Sequence, residues 1–479
     1  MLRRTKIVAT ISNLQCSPSF IEGLYRAGIN VVRLNTAHMS HEDALEVIRA
    51  VRSVSDKIAL LLDTKGPEIR TCDMDSPLPV KSGDMLRVKG SPGQRSTGDL
   101  LCVSYADFVR DVPVGSSIMI DDGHIALAVM DKDSECLICS VENDGVIKGR
   151  KSINIPAVHV RLPALSEKDK GFIRFAADHD LDFIAHSFVR SKEDVLAVQE
   201  ILDEHHSGAK IIAKIENFQG VLNLEEILDH AHGVMIARGD LAVEIPTEQI
   251  PLIQKKIIRT CIERRRPVIV ATQMLHSMIE SPRPTRAEVS DVANACIDRA
   301  DALMLSGETA NGRYPELAVR TMAKIIKEVE GKDRSFFDVP YSHEHRVVAY
   351  LAKAAVKAAV RLDSKAIVAD SVSGKSILAL AAYRGINPIF AQVYDRRVAR
   401  QLALSYGVYA DYVENGADSE EALSRSICRL VNDRNFSDED LIIVLAGSFG
   451  ADHGASYIEI ATAEKLRSSC DLRRVTERR

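Results

Sequence analysis

Eight short runs rich in Val, Ile, Leu and Ala recur along the first two thirds of the chain, alternating with amphipathic stretches of helical spacing. In order they are KIVATIS from Lys6, NVVRLN from Asn30, IALLLDTKG from Ile58, LDFIAHSFV from Leu181, KIIAKIEN from Lys210, GVMIARGDL from Gly233, PVIVATQML from Pro267 and ALMLSGET from Ala302. A continuously apolar run is a strand covered on both faces, and strands that alternate with helices pair in parallel. Eight such units close on themselves, so the count predicts an α/β fold built on a (β/α)8 TIM barrel.

One gap breaks the regular spacing. From Glu68 to about Pro163 the chain is too long for a helix and a turn, is punctuated by SPLP, KSGD, SPGQ, VPVG and NDG, and alternates polar with apolar in SIMIDD and IALAVMD. That predicts an all-β cap domain inserted after the third strand, over one end of the barrel. After about Pro340 a long helical stretch, RVVAYLAKAAVKAAVRL, precedes KAIVADS, NPIFAQV, DLIIVLAGS and YIEIATA, the pattern of an open α/β domain. The expected division is 1–68 for the first part of the barrel, 69–163 for the cap, 164–339 for the rest of the barrel and 340–479 for the C-terminal domain.

Composition removes several classes. With 46% hydrophobic and 27% charged residues the chain is ordinary globular material, neither disordered nor fibrous. Lys plus Arg number 62 against 67 Asp plus Glu, a net charge of −5, without the positive excess of a phosphate-backbone binder, so nucleic acid is not expected as a partner. Nine cysteines at irregular spacing read as free thiols of a reducing compartment, with the Cys136-x-x-Cys139 pair as strand residues. The N-terminal MLRRTKIVATIS has no cleavage signature and no run approaches a membrane span, which predicts a cytoplasmic protein without membrane contact.

In such a barrel the loops after the strands converge on one mouth. The ends of the runs supply Arg33 and Asn35; Asp63, Thr64 and Lys65; Lys214, Glu216 and Asn217; Arg238 and Asp240; Thr272 and Gln273; Ser306 and Glu308. Glu216 and Asp240, read as two strands apart in the alternation, form a carboxylate pair suited to one hard divalent cation. Lys214, Arg33 and Arg70 are the cations for a phosphorylated anion beside it. Metal-assisted phosphoryl transfer is the chemistry suggested.

The segments RTKIVATI, DTKGPEIRT, LPALSEKDK, KIEN, ARGDL, VEIP, ATQML, RPTRAEVSDVANA and MLSGETANGRYP together resemble the pyruvate kinases, in order from Arg4 to about Arg361. The resemblance implies transfer of the phosphoryl group of phosphoenolpyruvate to ADP, giving ATP and pyruvate, the last step of glycolysis. It implies Mg2+ (or Mn2+) on Glu216 and Asp240, and K+ on Asn35, Asp63 and Thr64. Lys214 matches the lysine that neutralises the transferring group, Thr272 the hydroxyl near the pyruvate methyl carbon, and Arg33 a phosphate contact. Gly239 and Asp240 match the amides for the substrate carboxylate, and Asn35, His38, Arg70 and Lys151 the nucleotide side.

Departures from the family pattern are also present. Asn35-Thr36-Ala37-His38 stands where N-F-S-H is usual, removing a serine hydroxyl from the K+ site, while Glu68 is the residue of K+-dependent members. Retained but weaker K+ activation is expected. Ser12-Asn13, Ala242 and His276 also differ from the family pattern and receive no role.

In the C-terminal domain SVSGKS lies between a strand and a helix, and Ala369 stands where a P-loop needs its first glycine. The resemblance makes this loop, through Ser371, Ser373, Gly374, Lys375 and Ser376, the site of a phosphorylated small-molecule effector, in a regulatory domain of a homotetramer. The competing functions are a metal-dependent lyase or carboligase acting on pyruvate or phosphoenolpyruvate, and a catalytically impaired scaffold.

Overall fold

All eight runs form strands of one closed parallel barrel in the computed structural model, which describes residues 2–156, 158, 160–332, 336–340, 346–414, 419–434, 436–447 and 455–468. The strands are β1 (Lys6–Thr10), β2 (Val31–Asn35), β3 (Ala59–Asp63), β4 (Phe183–His186), β5 (Lys210–Ile215), β6 (Gly233–Ala237), β7 (Val268–Ala271) and β8 (Ala302–Leu305), and each pairs with its sequence neighbours until β8 returns to β1. Side chains alternate along each strand. Val8, Val31, Leu61, Phe183, Ile212, Met235, Ile269 and Met304 fill the barrel interior, while Ile7, Val32, Leu62, Ile184, Ile211 and Ile236 face the surrounding helices. The runs are continuously apolar because both faces are covered.

Capping boxes start three of the outer helices: Ser40 with Asp43 before His41–Val54, Ser166 with Asp169 before Glu167–Asp178, and Thr285 with Glu288 before Arg286–Ile297. Asp169 has a second task. Fully buried, it also accepts the backbone N–H groups of Lys65 and Gly66, tying the loop after β3 to the first turn of a helix that lies beyond the cap.

The insertion is β except for the one-turn helix Phe108–Asp111, which the sequence patterning does not anticipate. Its seven-stranded sheet runs in the order Ile69–Arg70, Ser152–Asn154, Ser117–Ile120, Ile125–Lys132, Leu137–Val141, Met85–Gly90, Leu100–Val103, and a bridge between Thr71 and Val103 joins its two edges. Alternate residues such as Ile118, Ile120, Leu127, Val129 and Cys139 make a separate core. Gly123 at a turn of the cap approaches Val243, beyond the end of β6, which places the cap at the barrel's C-terminal mouth.

The C-terminal sheet contains β9 (Ala366–Ser371), β10 (Ile389–Val393), β11 (Val408–Tyr412), β12 (Leu441–Ala446) and β13 (Tyr457–Thr462) in the order β11-β10-β9-β12-β13, parallel except for β13. The sequence patterning anticipates four of these; β11 is missed because VYADY is short and half polar. This domain is keyed into the barrel's opposite end. Leu404 is buried within the barrel's interior cluster, a contact of the kind that contributes about 1.5–3 kcal/mol. Arg384 makes two hydrogen bonds to Asp301 at the start of β8, and Arg400 holds Asp182 at the start of β4, 2.6 Å away.

Seven cysteines, Cys136 and Cys139 included, are free and buried, in line with the expectation; Cys428 departs from it in being disulfide-bonded. Among the described residues no helix is long and apolar enough to cross a membrane.

Candidate functional site

The polar strand ends meet at one mouth, as the barrel topology requires. Lys214, near the end of β5, is buried with its ammonium 3.1 Å from Asp63 of β3 and 3.0 Å from Glu216. Arg33 of β2 binds the other Asp63 oxygen at 2.6 Å and donates to the Thr10 hydroxyl at the end of β1. Burial pushes the Asp63 carboxyl up, but Arg33 and Lys214 together hold it below its ordinary value. Burial likewise works against the Lys214 ammonium, and the Asp63 and Glu216 carboxylates outweigh it, holding the lysine above its usual range. Lys214 is therefore a fixed cation at neutral pH.

Glu216 and Asp240 follow adjacent strands, Glu216 directly after β5 and Asp240 in the short helix Arg238–Glu244 after β6, and β5 pairs directly with β6; the two-strand separation expected from the sequence is corrected by that register. The Asp240 charge bears on Glu216, whose Oε2 accepts the Phe188 N–H at 2.7 Å. Desolvation, then the Asp240 and Asp63 charges, drive Glu216 up to about 7 against the pull of Lys214. Asp240 is also raised, by burial first and then by Asp122 of the cap and Glu68. A buried and a half-buried carboxyl that resist joint ionisation are a donor set completed by a cation, and their hard oxygens suit Mg2+ or Mn2+.

Thr272 follows β7 with φ of 68°, a rare conformation for a β-branched residue, and Gln273 continues at 54°. The turn aims the Thr272 hydroxyl at Ala271 O (2.7 Å) and lets it accept the Gly239 N–H (3.0 Å). The Gly239 amide expected to face a substrate carboxylate is thus engaged by Thr272 in this arrangement. Arg238 braces the same turn by donating to the Thr272 carbonyl and pairing with Asp291.

The monovalent-cation candidates also converge: Asn35 pairs in register with Asp63, and Thr64 follows it. Their oxygens have protein partners. Asn35 Oδ1 accepts the Ala37 N–H, and Thr64 Oγ1 accepts the Ser187 N–H. His38, whose N–H donates to the Asn35 carbonyl, lies on the same loop. Arg70 and Lys151 come from paired cap strands or their edges. Glu68, which lines the cleft between cap and barrel, holds the Arg70 guanidinium at 2.8 and 2.9 Å, and Asp121 holds Lys151 at 2.8 Å. Glu68, Ser152, Phe188, Arg190, Asp240 and Glu244 line that cleft.

In the C-terminal domain the loop after β9 turns at Gly374, φ 80°, whose N–H donates to the Ser371 hydroxyl. Lys375 opens the helix Lys375–Ala382, with Ser373 exposed and Ser376 buried behind it.

Sequence reasoning missed Ser187. Its hydroxyl lies 2.6 Å from Lys214 Nζ, and it could have been found by applying the strand-end criterion to the fourth run, whose apolar stretch is broken by His186-Ser187 where the strand ends.

The whole arrangement has known counterparts. The chain matches the family model for the pyruvate kinase barrel domain over residues 2–319 and that for the pyruvate kinase alpha/beta domain over 350–461. It is 47% identical over 471 residues to a pyruvate kinase of Borreliella burgdorferi, covering 96% of this chain and 97% of the relative. With one of Geobacillus stearothermophilus it shares 42% over 458 residues, covering 93% and 78%. Among solved structures it is similar to a pyruvate kinase of Cryptosporidium parvum, with a TM-score of 0.90, 33% identity and 96% of both chains covered. The lyase and scaffold alternatives draw no support from these matches.

Proposed function

The chain belongs to the pyruvate kinase family and catalyses that family's phosphoryl transfer from phosphoenolpyruvate to ADP; on that premise we propose a role for each group at the barrel mouth. The observation that carries the assignment is the buried Lys214 ammonium, held between Asp63 and Glu216 beside the Glu216–Asp240 pair. Phosphoryl transfer requires positioning and charge neutralisation more than covalent participation by the protein. Lys214 neutralises the transferring group and the enolate it leaves, and Arg33 holds the phosphoryl oxygens from the other side of Asp63.

The family generally requires a divalent cation and K+. Glu216 and Asp240 would hold the divalent ion, which when bound neutralises charge on the substrate's phosphate and enolate oxygens. Asn35, Asp63 and Thr64 would supply oxygens to K+. The Gly239 and Asp240 amides receive the substrate carboxylate, for which the Gly239 N–H exchanges its Thr272 partner. Thr272 stands at the methylene carbon and passes the proton that converts enolpyruvate to pyruvate. Arg70 and Lys151 of the cap, with Asn35 and His38 below it, contact the nucleotide, and closure of the cap excludes water that would hydrolyse the transferring group.

The same reading makes the 371–376 loop a phosphate-binding effector site, with Ser371, Ser373, Gly374, Lys375 and Ser376 offering hydroxyls, amides and one cation at a helix start. It also includes a cytoplasmic location and assembly as a homotetramer. The test is release of pyruvate from phosphoenolpyruvate with Mg2+ and K+ present. Pyruvate should form only with ADP and in equal amount to ATP; consumption of phosphoenolpyruvate without ADP would overturn the assignment in favour of a lyase.

A further inference from the structure

Lys214 has three ammonium donors and no acceptor. One meets Asp63 Oδ1 at 3.1 Å, one Glu216 Oε1 at 3.0 Å and one Ser187 Oγ at 2.6 Å. The shortest of the three contacts is therefore to a neutral hydroxyl. Because lysine can only donate, the Ser187 oxygen is the acceptor, and its own proton goes to the Thr64 carbonyl at 2.7 Å. Ser187 is 2% exposed and fixed from several directions. Its N–H donates to Thr64 Oγ1, and Gly66 packs so closely that an added Cβ would stand 2.8 Å from the Ser187 Cβ.

The next residue is also committed. Phe188 has φ of 56°, a costly conformation for an aromatic residue, and its N–H thereby meets Glu216 Oε2. Two consecutive residues after β4 thus hold two functional groups of β5, the side chain of one on Lys214 and the amide of the other on Glu216.

We propose that Ser187 is a positioning residue for Lys214, aligning its ammonium for phosphoryl transfer while the Phe188 amide independently orients Glu216. This rests on the role given above to Lys214. Asp63 is shared with Arg33 and the Ser187 proton is committed to Thr64, so these two acceptors anchor the ammonium. The donor on Glu216 is the exchangeable one, available to a substrate oxygen when that carboxylate turns to a cation. Without Ser187 the ammonium is held by carboxylates alone and is drawn toward them, away from the reacting phosphoryl group.

The test is Ser187→Ala, read by steady-state kinetics and by Mn2+ binding to the substrate-free enzyme in electron paramagnetic resonance. Because misplacement by about 1 Å costs roughly 100-fold, kcat should fall about 10- to 100-fold, with KM for phosphoenolpyruvate and the Mn2+ affinity within about 2-fold of the parent protein. A kcat within 2-fold of the parent, or a fall in kcat matched by an equal loss of Mn2+ affinity, overturns the proposal. If Ser187→Ala does not fold, Ser187→Cys, which replaces a good acceptor with a poor one at similar volume, reads the same quantities. Lys214→Met assayed alongside separates the two failures: full activity there contradicts the role of Lys214, whereas loss there with an active Ser187 variant contradicts only the role of Ser187.

Discussion

Asp63 has both carboxylate oxygens occupied, one by Arg33 and one by Lys214, and this bears on the monovalent cation. Two protein cations already compensate this aspartate. The remaining oxygens offered to K+, on Asn35 and Thr64, have backbone N–H partners, and Ala37 contributes no hydroxyl. K+ should therefore activate, but weakly: raising KCl from zero to saturation, with ionic strength held by a tetraalkylammonium salt, should increase kcat by less than about 10-fold, about 1.4 kcal/mol. Equal turnover with and without K+ contradicts a role for Asn35, Asp63 and Thr64 as its ligands. The types and positions of these residues were legible in the sequence because charged and amide groups stood at the ends of apolar runs. Their pairing was not, since it depends on strand register and on Arg33 and Lys214 reaching the same carboxylate from different strands. Thr272 shows the same limit: its position could be read, but its positive φ is imposed by the Arg238 and Gly239 contacts around it.

Among the elements, the eight barrel strands were legible because burial on both faces removes polar residues from each run, a signal that survives without any partner information. Strand adjacency was less secure, as the Glu216–Asp240 pair demonstrates: the two follow one another around the barrel rather than alternating. The end of β4 carries Ser187 and Phe188 without a charge to advertise them, and β11 hides in a half-polar run. The contact of the helix Lys375–Ala382 with the barrel was likewise unreadable, because Arg384 beyond its end and Asp301 before β8 are 83 residues apart. That ion pair is almost wholly buried, so removing one partner leaves a desolvated charge. Arg384→Met should lower the free energy of unfolding in urea by about 3–5 kcal/mol. A change below about 1 kcal/mol contradicts the view that this pair locks the two domains together.

At the scale of the molecule, two structural units, the cap and the C-terminal domain, meet one barrel. The cap brings Arg70, Lys151 and the Asp121–Asp122 turn to the C-terminal mouth, while the C-terminal domain inserts Leu404 into the opposite end. The strand β5 links those ends, with Lys210 at one side and Lys214, followed by Glu216 just past the strand, at the other. Net charge and composition describe none of this, because the functional charges nearly cancel within a few ångströms of Lys214. The central claim is that this buried ammonium, fixed by Asp63, Glu216 and Ser187, stabilises charge in the transferring phosphoryl group and the departing enolate. The most direct measurement is the ADP-dependent release of pyruvate by Lys214→Met under saturating Mg2+ and K+. A group acting mainly in the transition state should, when removed, depress kcat by about 100- to 1,000-fold while KM for phosphoenolpyruvate changes only a few-fold. Retention of kcat, or a loss expressed only as a raised KM, contradicts the claim.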